Sequence, residues 1–83
     1  MREKCLCCGY KTLPEKPENC ITFVCPVCFW ENDVFMKNIY DVKEKSDSNK
    51  GMTLKEAREN FKRYGACNKE FISKVRKPML DEM

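Results

Sequence analysis

The chain has 83 residues, 42% hydrophobic and 35% charged, with seven cysteines and a formal charge of +3. So short a chain cannot bury a large interior, which leaves disulfides or a structural metal as the expected staple. The charge excludes little: four thiolates on a divalent ion would lower it by two, to about +1, and leave nucleic-acid binding almost without support from charge.

The N-terminus, MREKCLCCGY, runs from charged residues straight into cysteines. It has no apolar core of a secretory leader, and no later run approaches the roughly 18 apolar residues of a membrane span. A cytoplasmic address with reduced thiols is expected, where clustered cysteines bind metal more often than they pair. YKTL (10–13) and CITFV (20–24) are β-prone and separated by the turn PEKPEN, so they are expected to form the two arms of a hairpin. Ile21 and Phe23 alternate onto one face, the candidate surface for a helix to cover. Phe29, Trp30, Phe35 and Tyr40 are expected as core aromatics shielding the cysteines, and Glu31 and Asp33 as solvated charges.

Residues 34–52 pass into KEKSDSNKG, a polar stretch that reads as an exposed connecting loop. TLKEARENFKRYG (53–65) reads as an amphipathic helix: Thr53 and Glu56 have capping-box spacing, and Gly65 is placed for a left-handed stop. Leu54, Ala57, Phe61 and Tyr64 form its apolar stripe. The whole chain, 1–83, is expected as one domain, with a metal-binding hairpin module over 1–33 and a C-terminal segment over 66–83.

Cys5 and Cys8 are separated by two residues, as are Cys25 and Cys28, with 16 residues between the pairs. This is the spacing of a four-cysteine metal site, because each CxxC turn can aim two sulfurs at one point. Cys5, Cys8, Cys25 and Cys28 are therefore the expected ligands. Cys7 sits within the first turn, where pairing it with Cys8 in place of Cys5 would break the spacing. Cys20 and Cys67 lack partners at metal spacing and read as small buried hydrophobes. Four thiolates close a zinc shell, whereas catalytic zinc keeps a position for water; iron fits the same tetrahedron.

The segments CLCCGY (5–10), CPVCFWE (25–31), LKEARENFKRYGAC (54–67) and VRKP (75–78) resemble the bacterial cysteine-rich CPCC proteins over nearly the whole chain. The resemblance implies a small cysteine-rich, metal-binding domain and brings no biochemical role with it. Leu6 departs from the family's namesake motif, which has proline there. The CxxCGY turn is also similar to the first knuckle of rubredoxins and zinc ribbons. Their second knuckle carries a glycine where this chain has Phe29, a residue that resists positive φ, so a distorted second turn or a different exit from it is expected.

The fold expected from these readings is a small α+β metal-binding domain: a zinc-ribbon-like β-hairpin with two CxxC knuckles plus a C-terminal amphipathic helix. The expected function is that of a non-catalytic zinc module with an unknown protein partner. A rubredoxin-like carrier of one iron is the first alternative. A nucleic-acid-binding ribbon using Lys55, Arg58 and Lys62 or Lys74, Arg76 and Lys77 is the second. A redox sensor built on Cys7, Cys20 or Cys67 is the third.

Overall fold

The computed structural model describes residues 2–83. Strand β1 (Glu3–Lys4) pairs antiparallel with β2 (Lys11–Leu13), and the first CxxC turn is the loop between them. Glu3 lies opposite Leu13 and Lys4 opposite Lys11, so Thr12 is the extra residue of a bulge. A regular strand would send Thr12 and Leu13 to opposite faces, yet both are buried. The bulge turns both side chains inward.

CITFV does not form the second arm of that hairpin. Pro17–Asn19 makes a turn of 3-10 helix, and Ile21 and Thr22 form a further turn with Thr22 at φ 56°. That left-handed residue ends any extended run, and the Thr22 hydroxyl donates to the Ile21 carbonyl at 2.7 Å. Only Val24 pairs, with Glu31 across the second CxxC turn. Each CxxC thus has its own narrow antiparallel frame, in place of one hairpin spanning both. Ile21 is 67% exposed and does not receive the helix.

The 34–52 connection is more structured than its polarity suggests. Strand β3 (Lys45–Ser46) pairs with β4 (Met52–Thr53), closed by a 3-10 turn over Asp47–Asn49 and left-handed residues at Lys50 and Gly51. Buried polar residues hold this hairpin against the second CxxC turn. The Ser46 hydroxyl donates to Asp33 Oδ2 at 2.8 Å, and Asn49 exchanges two 2.8 Å bonds with the Glu31 backbone. Asp33 is therefore buried and bonded, not solvated. Ser46, Asp33 and Asn49 each have a partner, as burial of polar groups requires.

Helix α1 (Leu54–Tyr64) starts at the capping box: Glu56 N–H donates to Thr53 Oγ1 at 3.1 Å, and Thr53 N–H to Glu56 Oε1 at 2.9 Å. It stops at Gly65, which takes φ 77° and donates its N–H to the Phe61 carbonyl. The helix covers the CxxC turns. Leu54 and Ala57 are fully buried in one cluster with Cys5, Cys7, Cys25, Val27, Cys28, Trp30, Met52 and Cys67. Phe61 meets Tyr10 edge to face, with centroids 6.2 Å apart.

Beyond the helix the chain returns along the second turn, where Cys67 N–H donates to the Cys28 carbonyl at 2.7 Å and Arg76 N–H to Pro26 at 3.1 Å. The end of the chain is fastened by Glu82, whose side chain is 2% exposed and accepts both arms of the Arg76 guanidinium at 2.8 Å. Met79 N–H and Arg2 complete its partners. No described helix is long and apolar enough to cross a membrane.

The molecule measures 33 × 28 × 16 Å, thin enough for only one layer of side chains between backbone layers. Apart from Pro17, Leu13, Val27, Trp30, Met52 and Leu54 are the only buried hydrophobic side chains larger than cysteine or alanine among the described residues. The interior is therefore built largely of cysteine. Of the aromatics expected to shield it, Trp30 is buried, Phe29 packs at its edge, and Phe35 and Tyr40 are exposed.

Candidate metal centre

The two CxxC turns repeat the same backbone bonds. Cys5 N–H donates to the Tyr10 carbonyl at 2.8 Å and Gly9 N–H to that of Cys5 at 2.9 Å. In the second turn, Cys25 N–H donates to Trp30 at 3.0 Å and Phe29 N–H to Cys25 at 2.8 Å. Both turns leave through a left-handed residue, Gly9 at φ 79° and Phe29 at φ 69°. The second turn is therefore not distorted by its phenylalanine. Such a conformation costs a non-glycine residue about 1–2 kcal/mol. A tilted contact of Phe29 with Phe71, centroids 4.6 Å and ring planes 46° apart, supplies an offsetting interaction.

Facing each other, the turns bring Cys5, Cys8, Cys25 and Cys28 together, with all four sulfurs within 4.8 Å of one another. Cys5 Sγ lies 3.6 Å from Cys28 Sγ, and Cys8 Sγ 3.7 Å from Cys25 Sγ. A disulfide would need about 2.05 Å. Four sulfurs at about 2.3 Å from a central tetrahedral ion lie about 3.8 Å apart, so the cluster has the dimensions of a metal shell. Zinc and iron share that size, and the spacing fits either. Cys5 takes its place in the cluster and Cys7 does not: Cys7 lies in the packed core.

The sulfurs cannot all ionise alone. Hydrogen bonding from Cys28, then Cys5 and Cys8, holds the Cys25 thiol far below its ordinary value, and Cys25 in turn holds Cys28 and Cys8 far above theirs. A cation at the centre removes this conflict, since like charges so close repel and each is attracted to the ion. The donor set thus fits a divalent metal whose binding expels thiol protons.

Contacts around the sulfurs are unequal. Thr12, aimed by the β2 bulge, places its hydroxyl 3.1 Å from Cys25 Sγ, and Trp30 N–H donates to Cys28 Sγ at 3.4 Å. Thr12 has no motif spacing to reveal it, because its role depends on a bulge. Arg58, read from sequence as part of a basic helix edge, donates Nε to the Leu6 carbonyl at 2.8 Å and braces the first turn. Cys67 and Cys20 lie outside the four-sulfur group. Cys67 is fully buried, and burial, with Cys7 and then Cys5 nearby, pushes its thiol up to about 12. Cys20 is buried and donates to the Glu15 carbonyl at 3.1 Å.

The sequence model of a family described as cysteine-rich CPCC matches residues 3–82. No curated protein and no solved structure matches the chain.

Proposed function

The chain belongs to the cysteine-rich CPCC family, and from that premise we propose that it is a non-catalytic zinc module whose surface serves a protein partner. The convergence of four cysteine sulfurs within 4.8 Å carries this reading. Four thiolates fill a tetrahedral shell and leave no position for a reacting water, which favours a structural role over an enzymatic one. On this reading the facing CxxC turns act as the paired knuckles of a zinc-ribbon-like fold. Thiolate ligands need reduced cysteines, so the reading brings a reducing, cytoplasmic setting with it.

Exposed Phe35, Ile72 and Leu80 support a protein partner. A nucleic-acid role draws less support, because Arg58 and Arg76 are engaged internally with Leu6 and Glu82. A structural zinc contributes about 10–16 kcal/mol in small peptides, against roughly 5–15 kcal/mol for the net stability of a whole domain. Elemental analysis of the full chain should give one zinc per molecule. Chelation with a phosphine reductant present should then abolish the folded circular dichroism and shift Trp30 emission. Signals unchanged after metal loss would overturn the structural role, and a coloured, iron-loaded chain with a reversible one-electron couple would make it an electron carrier.

A further inference from the structure

We propose that Cys8 is the thiolate through which the metal centre reacts with soft electrophiles, and that its modification opens the shell. The inference rests on the metal-binding reading above. Of the seven cysteines, all of them described, six are buried and Cys8 alone is partly open. The residue that follows it, Gly9, is exposed, and a Cβ built there would meet nothing within 4 Å. The second turn is covered instead, by the backbone of Cys67 on Cys28 and of Arg76 on Pro26.

The hydrogen bonds separate the two turns, since Cys5 Sγ, like Cys8 Sγ, meets only another sulfur among the described residues, and exposure then separates Cys8 from the buried Cys5. Cys25 Sγ has the Thr12 hydroxyl and Cys28 Sγ has the Trp30 N–H, while the polar contact of Cys8 Sγ among the described residues is a neighbouring sulfur. A donor withdraws charge from a thiolate and weakens it as a nucleophile, so the least shielded and most accessible sulfur reacts first. The spare thiols Cys7, Cys20 and Cys67, which a sequence reading would choose as sensors, are all buried. Reactivity falls on a ligand.

With an alkyl iodide, a sulfur lone pair of Cys8 forms the S–C bond as the C–I bond breaks and iodide leaves. The thioether product carries no charge, so the shell loses one anionic donor and no oxidant is consumed.

The test treats the zinc-loaded full chain, in a phosphine reductant, with limiting iodoacetamide. Adducts are located by mass spectrometry with fragmentation that resolves Cys5, Cys7 and Cys8, and zinc release is followed with a chromophoric chelator. We expect Cys8 to be labelled at least about tenfold faster than any other cysteine, with zinc release in step and both unchanged in Cys7→Ser. First labelling of another cysteine in a zinc-loaded chain overturns the proposal while leaving the metal reading intact. Zinc retained after complete Cys8 labelling overturns it as well. A chain that holds no metal before treatment overturns the metal reading, and this proposal with it.

Discussion

The two CxxC turns share a backbone and differ in almost everything around it. The first lies at the tip of the β1–β2 hairpin, leaves through Gly9 and keeps Cys8 partly open; the second has a single bridge beneath it, leaves through Phe29 and is roofed by the C-terminal segment. Local spacing is enough to make a turn that aims two sulfurs. What surrounds each turn decides how far water and reagents reach those sulfurs, so chemically identical cysteines become unequal.

The largest effect should come from testing that inequality directly. Cys25→Ser removes a fully buried cysteine and should lose zinc stoichiometry, whereas Cys8→Ser, unlike an alkylated Cys8 whose added group fills the corner, leaves that corner free for water and should retain zinc at lower affinity. Elemental analysis should separate the variants by zinc content, and thermal denaturation should find Cys25→Ser the less stable, because a structural metal contributes folding free energy. Equal behaviour would show the two turns to be interchangeable.

Next is the helix that covers both turns. Leu54→Ala empties a site with no solvent exposure and should cost about 2–5 kcal/mol in denaturant unfolding of the zinc-loaded chain. A cost under 1 kcal/mol would mean that the helix is not the lid of this core.

A smaller effect distinguishes the exits of the turns. Gly9→Ala adds a Cβ into open space, so its expected cost of about 1 kcal/mol is purely that of the left-handed backbone. At the second turn, Phe29→Ala loses the Phe71 contact and keeps the backbone cost, while Phe29→Gly loses both. The glycine variant should be the more stable of the two by about 1 kcal/mol. The reverse order would show that Phe29 is unstrained.

The smallest change at neutral pH concerns the fastening of the C-terminal segment. Arg76, then the Met79 N–H, with Arg2 beyond, hold the Glu82 carboxyl at about 2, below its ordinary 4.5. A carboxyl held low in the folded state stabilises it fully above pH 4.5, and that contribution disappears as pH falls toward 2. Acid titration of Glu82→Gln should therefore be flatter than that of the parent between those values, once zinc loss, common to both, is subtracted.

Several parts of this architecture were legible in local sequence. Thr53, Glu56 and Gly65 announce helix α1 because capping bonds and a left-handed stop span only a few residues. The CxxC spacings nominated the four sulfurs that meet, since a two-residue gap fixes where a turn can aim them. CITFV misled because β propensity is weak, and the turns at Pro17–Asn19 and Thr22 override it. KEKSDSNKG misled for the opposite reason: its polar residues Ser46 and Asn49 are buried, with partners at Asp33 and Glu31 that lie distant in sequence.

By itself, the sequence determined the spacing of the four cysteines and the beginning and end of the helix, which depend on bonds within a few residues. Only the tertiary structure decided that Thr12 faces Cys25, that Arg58 braces the first turn, and that Cys8 is left partly open. Those depend on a strand bulge and on which segments fold over which turn, contacts between residues far apart along the chain that no local pattern encodes.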